Sequence, residues 1–273
     1  MVSPTGEVFT RERQQLIADL VSEHGRARVA DLARTFGVST VTIRKDLVAL
    51  EAEGRLVRAH GGALSVSRNA TAESAFDVRE RQQRVAKDRI GRLAASMVED
   101  GESIAFDAST TALAVARHLK ARGGWVQLTV ITNGLRIASE LAGFPGITVA
   151  MPGGFVRWEA LSVVGPLGDG VFRKVNVQKA FLGAAGFSLE AGLSDATEDE
   201  AQIKRFMAEA AREVIGIVDS SKWGRAAFAT FCPTDELDAV ISDDDAPGAT
   251  VEALRSRGIA VQLVPAGDDP ANA

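Results

Sequence analysis

A single cysteine, Cys232, stands in 273 residues. That excludes an internal disulfide framework and fits a reducing, cytoplasmic location. Residues 1–15 lack the apolar run of a secretion signal and carry Glu7 and Glu12, so no leader is expected. No apolar run is long enough to cross a bilayer, so no membrane partner is expected. The chain shows no internal repeat, and neither a metal nor a cofactor is expected from its motifs. What remains is core-forming material. Hydrophobic residues make up 46% and charged residues 25%, which suits a globular chain of one large domain or two ordinary ones.

The net charge of −5 argues weakly against nucleic acid, but its distribution says more. Residues 1–64 hold nine Lys and Arg against eight Asp and Glu, and residues 65–92 hold seven against four. The rest carries 15 against 24. A mildly basic first third therefore precedes an acidic body, which phosphates would repel.

Residues 11–21 put Leu16, Ile17, Leu20 and Val21 on one helical face, and His24-Gly25 ends that helix. A second short helix carries Val29, Leu32 and Phe36 and stops at Gly37. Ser39 caps a third, whose buried stripe is Ile43, Leu47 and Leu50, with Gly54 ending it. Leu56 to His60 alternates as a strand, Gly61-Gly62 turns, and Ala63-Leu64 begins a return strand. Three helices and a hairpin predict a winged helix-turn-helix over residues 8–64. Residues 65–85 are expected to be a linker, loop-like at Ser65 to Ser67 and running into a charged, helical stretch from Phe76 to Leu93.

Residues 86–265 alternate strand and helix. Strands are expected at 103–106, 127–131, 147–150, 180–183, 214–218, 239–242 and 260–264. Helices are expected at 110–119, 135–141, 198–211 and 251–257. The fold class is thus α/β, with a mostly parallel open sheet following a small α+β domain. Residues 265–273 are rich in Ala, Asp, Pro and Gly and are expected to lack order.

Leu47 and Leu50 lie within about 40° of Ile43 at 100° per residue, so Val41, Lys45 and Val48 face the other way, with Arg44 and Thr42 beside them. Arg44 and Lys45 suit phosphates or guanine edges, and Val41 and Thr42 suit a thymine methyl. Ser39 and Thr40 sit where free N–H groups favour a phosphate oxygen. Arg58 and His60 share one face of the hairpin and suit the backbone or a minor groove. The plain alternative is a solvated helical bundle with an ordinary charged face.

In the second domain, polar clusters fall where strands end. Asp107, Ser109, Thr110 and Thr111 precede a helix, as do Thr132 and Asn133, and Gly153-Gly154 leaves room for backbone N–H groups to meet an oxyanion. Ligands of open α/β sheets sit at the carboxyl ends of strands, so the three loops are expected to converge on one pocket for a phosphorylated polyol. Taken singly, each is an ordinary cap or turn. Glu200 and Lys204, four apart on a helix, read first as a surface salt bridge. Asp219 and Lys222 again fall at a strand end, where the lysine suits a phosphate or a sugar hydroxyl.

The run Val38 to Leu47, with Leu50-Glu51, Gly54, Leu56, Arg58 and His60-Gly61-Gly62-Ala63, closely resembles the DeoR family of bacterial regulators. Lys45 stands where the family more usually has Arg. The resemblance continues through Arg79, Lys87, Ile90-Gly91, Asp107 to Thr111, Thr132-Asn133, Gly153-Gly154, Gly165, Phe181 to Gly183, Glu200, Lys204 and Asp219 to Lys222. These residues look like the family's sugar-phosphate sensor, similar in fold to ribose-5-phosphate isomerase and CoA transferases. The resemblance implies that Asp107, Ser109, Thr110, Thr111, Thr132 and Asn133 line the phosphate end. It places Glu200, Lys204, Asp219 and Lys222 nearer the sugar. Ser109 stands where the family commonly has Gly.

The expectation is a DNA-binding regulator, most naturally a repressor of a carbohydrate operon, released from double-stranded operator DNA by a phosphorylated sugar. Short half-sites call for a homodimer or higher homo-oligomer. A sugar-phosphate isomerase is the alternative, with Asp107, Glu200 or Asp219 as base and Lys204 or Lys222 as electrophile; the first sixty residues argue against it. A DNA-binding protein whose second domain only oligomerises is the third.

Overall fold

The computed structural model describes residues 10–24, 26–53, 55–59, 61–65 and 75–265. The chain divides into two bodies, Met1–Glu73 and Ser74–Ala273.

The first body runs α1 (Thr10–His24), β1 (Arg26–Arg28), α2 (Val29–Phe36), α3 (Thr40–Ala52), β2 (Leu56–Ala59) and β3 (Gly62–Ser65). The expected apolar stripes meet in one core, where Ile17, Val21, Leu32, Ile43, Leu47, Leu50 and Leu56 are almost wholly buried. The hairpin is wider than expected. β1 pairs antiparallel with β3, giving the order β1-β3-β2. A three-residue strand is too short to show alternation, so its sequence gave no signal. The pairing explains Gly62, because a Cβ there would overlap the Ala27 carbonyl.

The second body opens with α4 (Ala75–Arg81) and α5 (Arg84–Ser96), followed by β4 (Ser103–Phe106), α6 (Thr110–Arg122), β5 (Leu128–Thr132), α7 (Leu135–Leu141) and β6 (Ile147–Ala150). A ribbon of β7 (Phe155–Arg157) and β8 (Ser162–Val164) leads to α8 (Asp169–Phe172) and β9 (Val177–Leu182). Then come β10 (Gly186–Ser188), β11 (Gly192–Asp195), α9 (Glu198–Glu209), β12 (Ala211–Ile217), β13 (Ala229–Cys232), β14 (Ala239–Asp243), α10 (Gly248–Ser256) and β15 (Ala260–Val264). Residues 75–85, expected as a partly helical linker, are helical in α4 and the start of α5, but they belong to the second body. Phe76 is the reason, since it is buried in the core of this body.

Seven strands form one parallel sheet in the order β15-β14-β12-β9-β4-β5-β6. These are the seven expected strands, with β9 and β12 each starting three residues earlier. Alternation splits their side chains between two apolar layers. Ile104, Phe106 and Phe181 join α5, α6 and α7 on one face. Ala105, Ala180 and Leu182 join α9, α10 and the β10-β11-β13 sheet on the other. Cys232 is wholly buried in that second layer, where burial pushes its thiol up to about 12.

The order of the strands fixes where a ligand can enter. From β4 the chain steps one way to β5 and β6, then resumes on the other side of β4 with β9, β12 and β14. The β4–β9 boundary is therefore a topological switch point, where neighbouring loops diverge and leave a crevice.

Leu50, wholly buried in the small first core, tests how that body stands alone. Leu50→Ala should cost it about 2–5 kcal/mol. All three tryptophans, 125, 158 and 223, lie in the second body. In a urea titration the substitution should shift part of the helical circular-dichroism transition and leave the tryptophan fluorescence transition in place. A shift of both together would contradict independent cores.

Candidate functional site

The exposed side of α3 is built from its start. Ser39 Oγ accepts from the Thr42 N–H at 3.1 Å and lies 2.9 Å from Thr42 Oγ1. Both hydroxyls are thus tied to the cap. Val41 and Val48 are 57% and 47% exposed, which is unusual for valine on a helix whose other face is core. Thr40, Arg44 and Lys45 are exposed beside them. Neither Arg44 nor Lys45 has a hydrogen bond or ion pair among the described residues. Two free cations next to two bare valines suit phosphate and thymine methyl contacts. Arg58 lies in β2 opposite Ala63. Its side chain, and His60 altogether, fall outside the described residues.

Asp46, within the same helix, had no role assigned from sequence. It is 2% exposed, takes Arg13 Nε at 2.7 Å and Nη2 at 3.3 Å, and takes Gln14 Nε2 at 3.1 Å. This forked pair fixes α3 on α1, so the direction of Arg44 and Lys45 depends on a residue that cannot itself reach DNA.

In the second body a cavity of about 290 Å³ opens at the carboxyl ends of β4, β9 and β12. Its floor is Lys204, 4% exposed. Lys204 Nζ lies 2.6 Å from Asp107 Oδ2, 2.6 Å from Asp195 Oδ2 and 2.9 Å from the Gly183 carbonyl. Burial alone would push this amine down, but the two carboxylates outweigh it and hold it well above its usual value. For Asp195, burial pushes the carboxyl up, and the charge and hydrogen bond of Lys204 bring it below the ordinary range. The expected Glu200–Lys204 surface pair is therefore wrong. Glu200, also buried, takes Arg157 Nη1 at 2.9 Å and Ser162 Oγ at 2.5 Å instead.

Ser109 caps α6 by accepting from the Ala112 N–H, and it donates to Asp107 Oδ1 at 2.8 Å. Asp107 also takes the Gly183 N–H at 3.1 Å. A Cβ on Gly183 would overlap the Ser109 side chain, so β4 and β9 can deliver their loops side by side only with glycine there. Thr110 and Thr111 then present the start of α6 to the cavity. Asp219 and Lys222 enter from the end of β12, through a 3-10 turn at Ser220–Lys222. Asp219 Oδ1 accepts from the Ser221 N–H and hydroxyl.

Four expected residues lie elsewhere. Thr132 and Asn133 are wholly buried; Thr132 Oγ1 accepts from the Gly134 N–H, and Asn133 Nδ2 donates to the Val163 carbonyl. Gly153 and Gly154 lead into β7, away from the cavity lining. The three loops were expected to converge, but β5 and β6 stand outward of the switch point, so only the β4 loop reaches it. Its companions follow β9, β11 and β12, and the β7–β8 ribbon beyond β6 adds Arg157 and Glu159.

Sequence reasoning gave no cavity role to Arg79, Arg157, Asp195, Thr197 and Arg225, although the resemblance had carried Arg79 into the sensor domain. It also missed Lys87, although Lys87 falls on the apolar stripe of Ala86, Ile90 and Ala94, and a charge in core register was a readable signal. Burial pushes Lys87 down to about 8. In all, six cationic side chains line the cavity against four acidic ones, so its wall favours an anion in a body that is acidic overall.

Residues 82–244 match the family model described as the DeoR C terminal sensor domain, and residues 13–69 match the DeoR-like helix-turn-helix domain. YulB of Bacillus subtilis strain 168, named as an uncharacterised helix-turn-helix transcriptional regulator, is 37% identical over 94% of this chain and 98% of its own. A protein of Escherichia coli O157:H7, provisionally named the aga operon transcriptional repressor, is 32% identical over 93% and 94%. The transcriptional repressor GlcR of B. subtilis strain 168 is 34% identical over 86% and 89%. Among solved structures, ribose 5-phosphate isomerase A of Neisseria gonorrhoeae aligns over 53% of this chain and 54% of its own, at 14% identity and a TM-score of 0.38.

Lys204→Met should destabilise the second body by about 3–5 kcal/mol, because two buried carboxylates lose their counter-charge. The pH slopes should oppose one another. With Lys204 present, the depressed Asp195 adds stability above about pH 4 that is lost as pH falls through its folded value. Without Lys204 the carboxylates are raised, so the variant should gain on the parent as pH falls toward 5. Parallel pH profiles in urea titrations would show that Lys204 is not their counter-ion.

Proposed function

This chain belongs to the DeoR family of helix-turn-helix transcriptional regulators, and we propose that it represses a carbohydrate-utilisation operon until a phosphorylated sugar occupies the cavity of its second body. The observation that carries the reading is the cavity wall, where the start of α6 opens beside a surplus of cations at the sheet's switch point. A helix N-terminus with positive side chains around it suits a phosphate. The acids in the same wall suit sugar hydroxyls. Asp107, Ser109, Thr110, Thr111, Glu200, Lys204, Asp219 and Lys222 keep their places in this proposal, with Asp107 and Lys204 as its floor.

Sensing fits this chemistry better than turnover. An isomerase needs a carboxylate free to take a proton. Asp107 is wholly buried and committed to Lys204, Ser109 and Gly183. Glu200 is held by Arg157 and Ser162, and Asp219 accepts twice from Ser221. At the DNA end the proposal assigns reading to Val41, Arg44 and Lys45, and docking to Ser39, Thr40, Thr42, Arg58 and His60. Two-fold operators would be met by a homodimer or higher assembly, in the cytoplasm where the DNA is. No helix among the described residues is long and apolar enough to cross a membrane.

Arg44→Ala should weaken binding to the chain's own promoter by about 1–3 kcal/mol and relax preference at one base pair. Equal affinity in a salt-matched titration would place Arg44 on the plain surface. Phosphorylated sugars should raise the melting temperature of the second body and lower promoter affinity, with about 2.7 kcal/mol of stabilisation expected at 100 times Kd. Equal stabilisation by unphosphorylated sugars would remove the phosphate from the proposal. No stabilisation by any sugar would favour a second body that only oligomerises, and turnover of a sugar phosphate would restore the enzyme reading.

A further inference from the structure

Two cations in the cavity wall, Lys222 and Arg79, have no hydrogen bond or ion pair among the described residues. The other four are committed. Lys204 holds Asp107 and Asp195, and Arg157 holds Glu200 and the Thr197 hydroxyl. Lys87 and Arg225 donate to backbone carbonyls. Arg79 is half-buried, so its open fork of N–H donors faces the cavity at a cost in solvation. Burial pushes its guanidinium down, the carboxylates of Asp195, Glu200 and Asp107 pull it back up, and Arg157 opposes them. Those carboxylates are already engaged by Lys204, Arg157 and Ser162. An oxyanion entering the cavity would be the first partner to meet the fork squarely, and planar guanidinium matches such groups with two parallel bonds.

The helix that carries Arg79 gives its open fork a consequence. α4 is the first element after the nine residues, 66–74, that follow β3 of the DNA-binding body. It is seated from both ends. The Phe76 N–H bonds the Glu159 carbonyl in the β7–β8 turn, Asp77 pairs with Arg136 at 2.8 Å, and Glu80 pairs with Arg117 at 2.7 Å. At the other end Lys87 Nζ bonds the carbonyls of Arg79 at 2.6 Å and Gln82 at 2.7 Å.

We propose that Arg79 receives the anionic group of the effector, and that α4 is thereby the element that reports occupancy to the segment joining the two bodies. The proposal rests on reading the cavity as an effector site. Its logic is linkage. Seating α4 half-buries a guanidinium whose desolvation outweighs the pull of the nearby carboxylates, and an oxyanion lessens that cost. The anion therefore binds the seated state of α4 more tightly than a state in which α4 has left, and it shifts the population toward seating. Lys222, at the end of β12, strengthens binding of the same anion without moving α4.

Hydrogen exchange and titration calorimetry on the full chain test this, with inorganic phosphate and gluconate as probes. Phosphate should add protection to the amides of residues 75–81. Arg79→Gln should weaken phosphate at least tenfold and abolish that protection even at saturation, with Arg79→Lys in between because it keeps charge and loses the fork. Lys222→Gln should weaken phosphate and retain the protection at saturation. Wild-type affinity or wild-type protection in Arg79→Gln overturns the proposal. Gluconate acting in place of phosphate, with the same dependence on Arg79, supports it and removes phosphate from the effector reading. Binding of neither probe to the wild-type chain overturns both.

Discussion

The second body is organised around one buried ammonium. Lys204 could not stay charged at 4% exposure without help, because desolvating an ion costs several kcal/mol. Its help comes from separate strands: Asp107 after β4, the Gly183 carbonyl after β9 and Asp195 at the end of β11. The Phe231 ring, 5.1 Å away, closes a further side. Each partner is held only if its strand is in register, so the charge cluster and the sheet order depend on each other. The cluster also leaves a net negative floor, since two carboxylates face one lysine. Six cationic side chains line the cavity around that floor, although the body as a whole carries an excess of acids.

The first body uses the same device on a smaller scale. Asp46 is the only acid on the buried side of α3, and Arg13 and Gln14 occupy its oxygens. The forked geometry sets the rotation of α3 as well as its position. Rotation matters because Val41, Arg44, Lys45 and Val48 occupy a narrow exposed strip, and a helix turned by one residue would carry part of it toward the core. In both bodies a buried ion pair fixes the exposed chemistry, and the apolar core alone would leave it free to slip.

Periodicity made most of the fold legible. Long stripes such as Ile43, Leu47 and Leu50, and short apolar strands bounded by Gly and polar residues, mark their elements without knowledge of contacts. All seven strands of the parallel sheet were visible on that basis. The three-residue strands β1, β7, β8 and β10 were too short to show a pattern, and the four-residue β11 and β13, which lie outside the parallel sheet, were missed with them. The site was half legible for a different reason. Hydroxyls before a helix mark a strand end equally well at Asp107–Thr111 and at Thr132–Asn133, but only strand order says which end meets the crevice. Arg157 and Arg225 carried no local signal, since each reaches the cavity from a segment whose pattern is that of a surface loop. Arg79 was hidden by its neighbours, because one arginine among six basic residues between 79 and 92 reads as solvated charge.

The two departures from the family pattern now separate in kind. Lys45 is exposed and unpaired, so exchanging a forked guanidinium for a point charge changes only what the protein can ask of DNA: charge is kept and bidentate recognition is lost. Ser109 is internal. Its hydroxyl is spent on Asp107 and on the Ala112 N–H, and its side chain fills the space that Gly183 leaves open. A serine there lines the cavity without offering a free donor, because its hydroxyl proton goes to Asp107. It ties the cap of α6 to the Lys204 cluster through Asp107, so the helix start that faces the cavity is held by the same charges that hold the floor. Ser109 is thereby part of the support beneath the cavity, whereas Arg79, Arg157 and Lys222 stand in its wall.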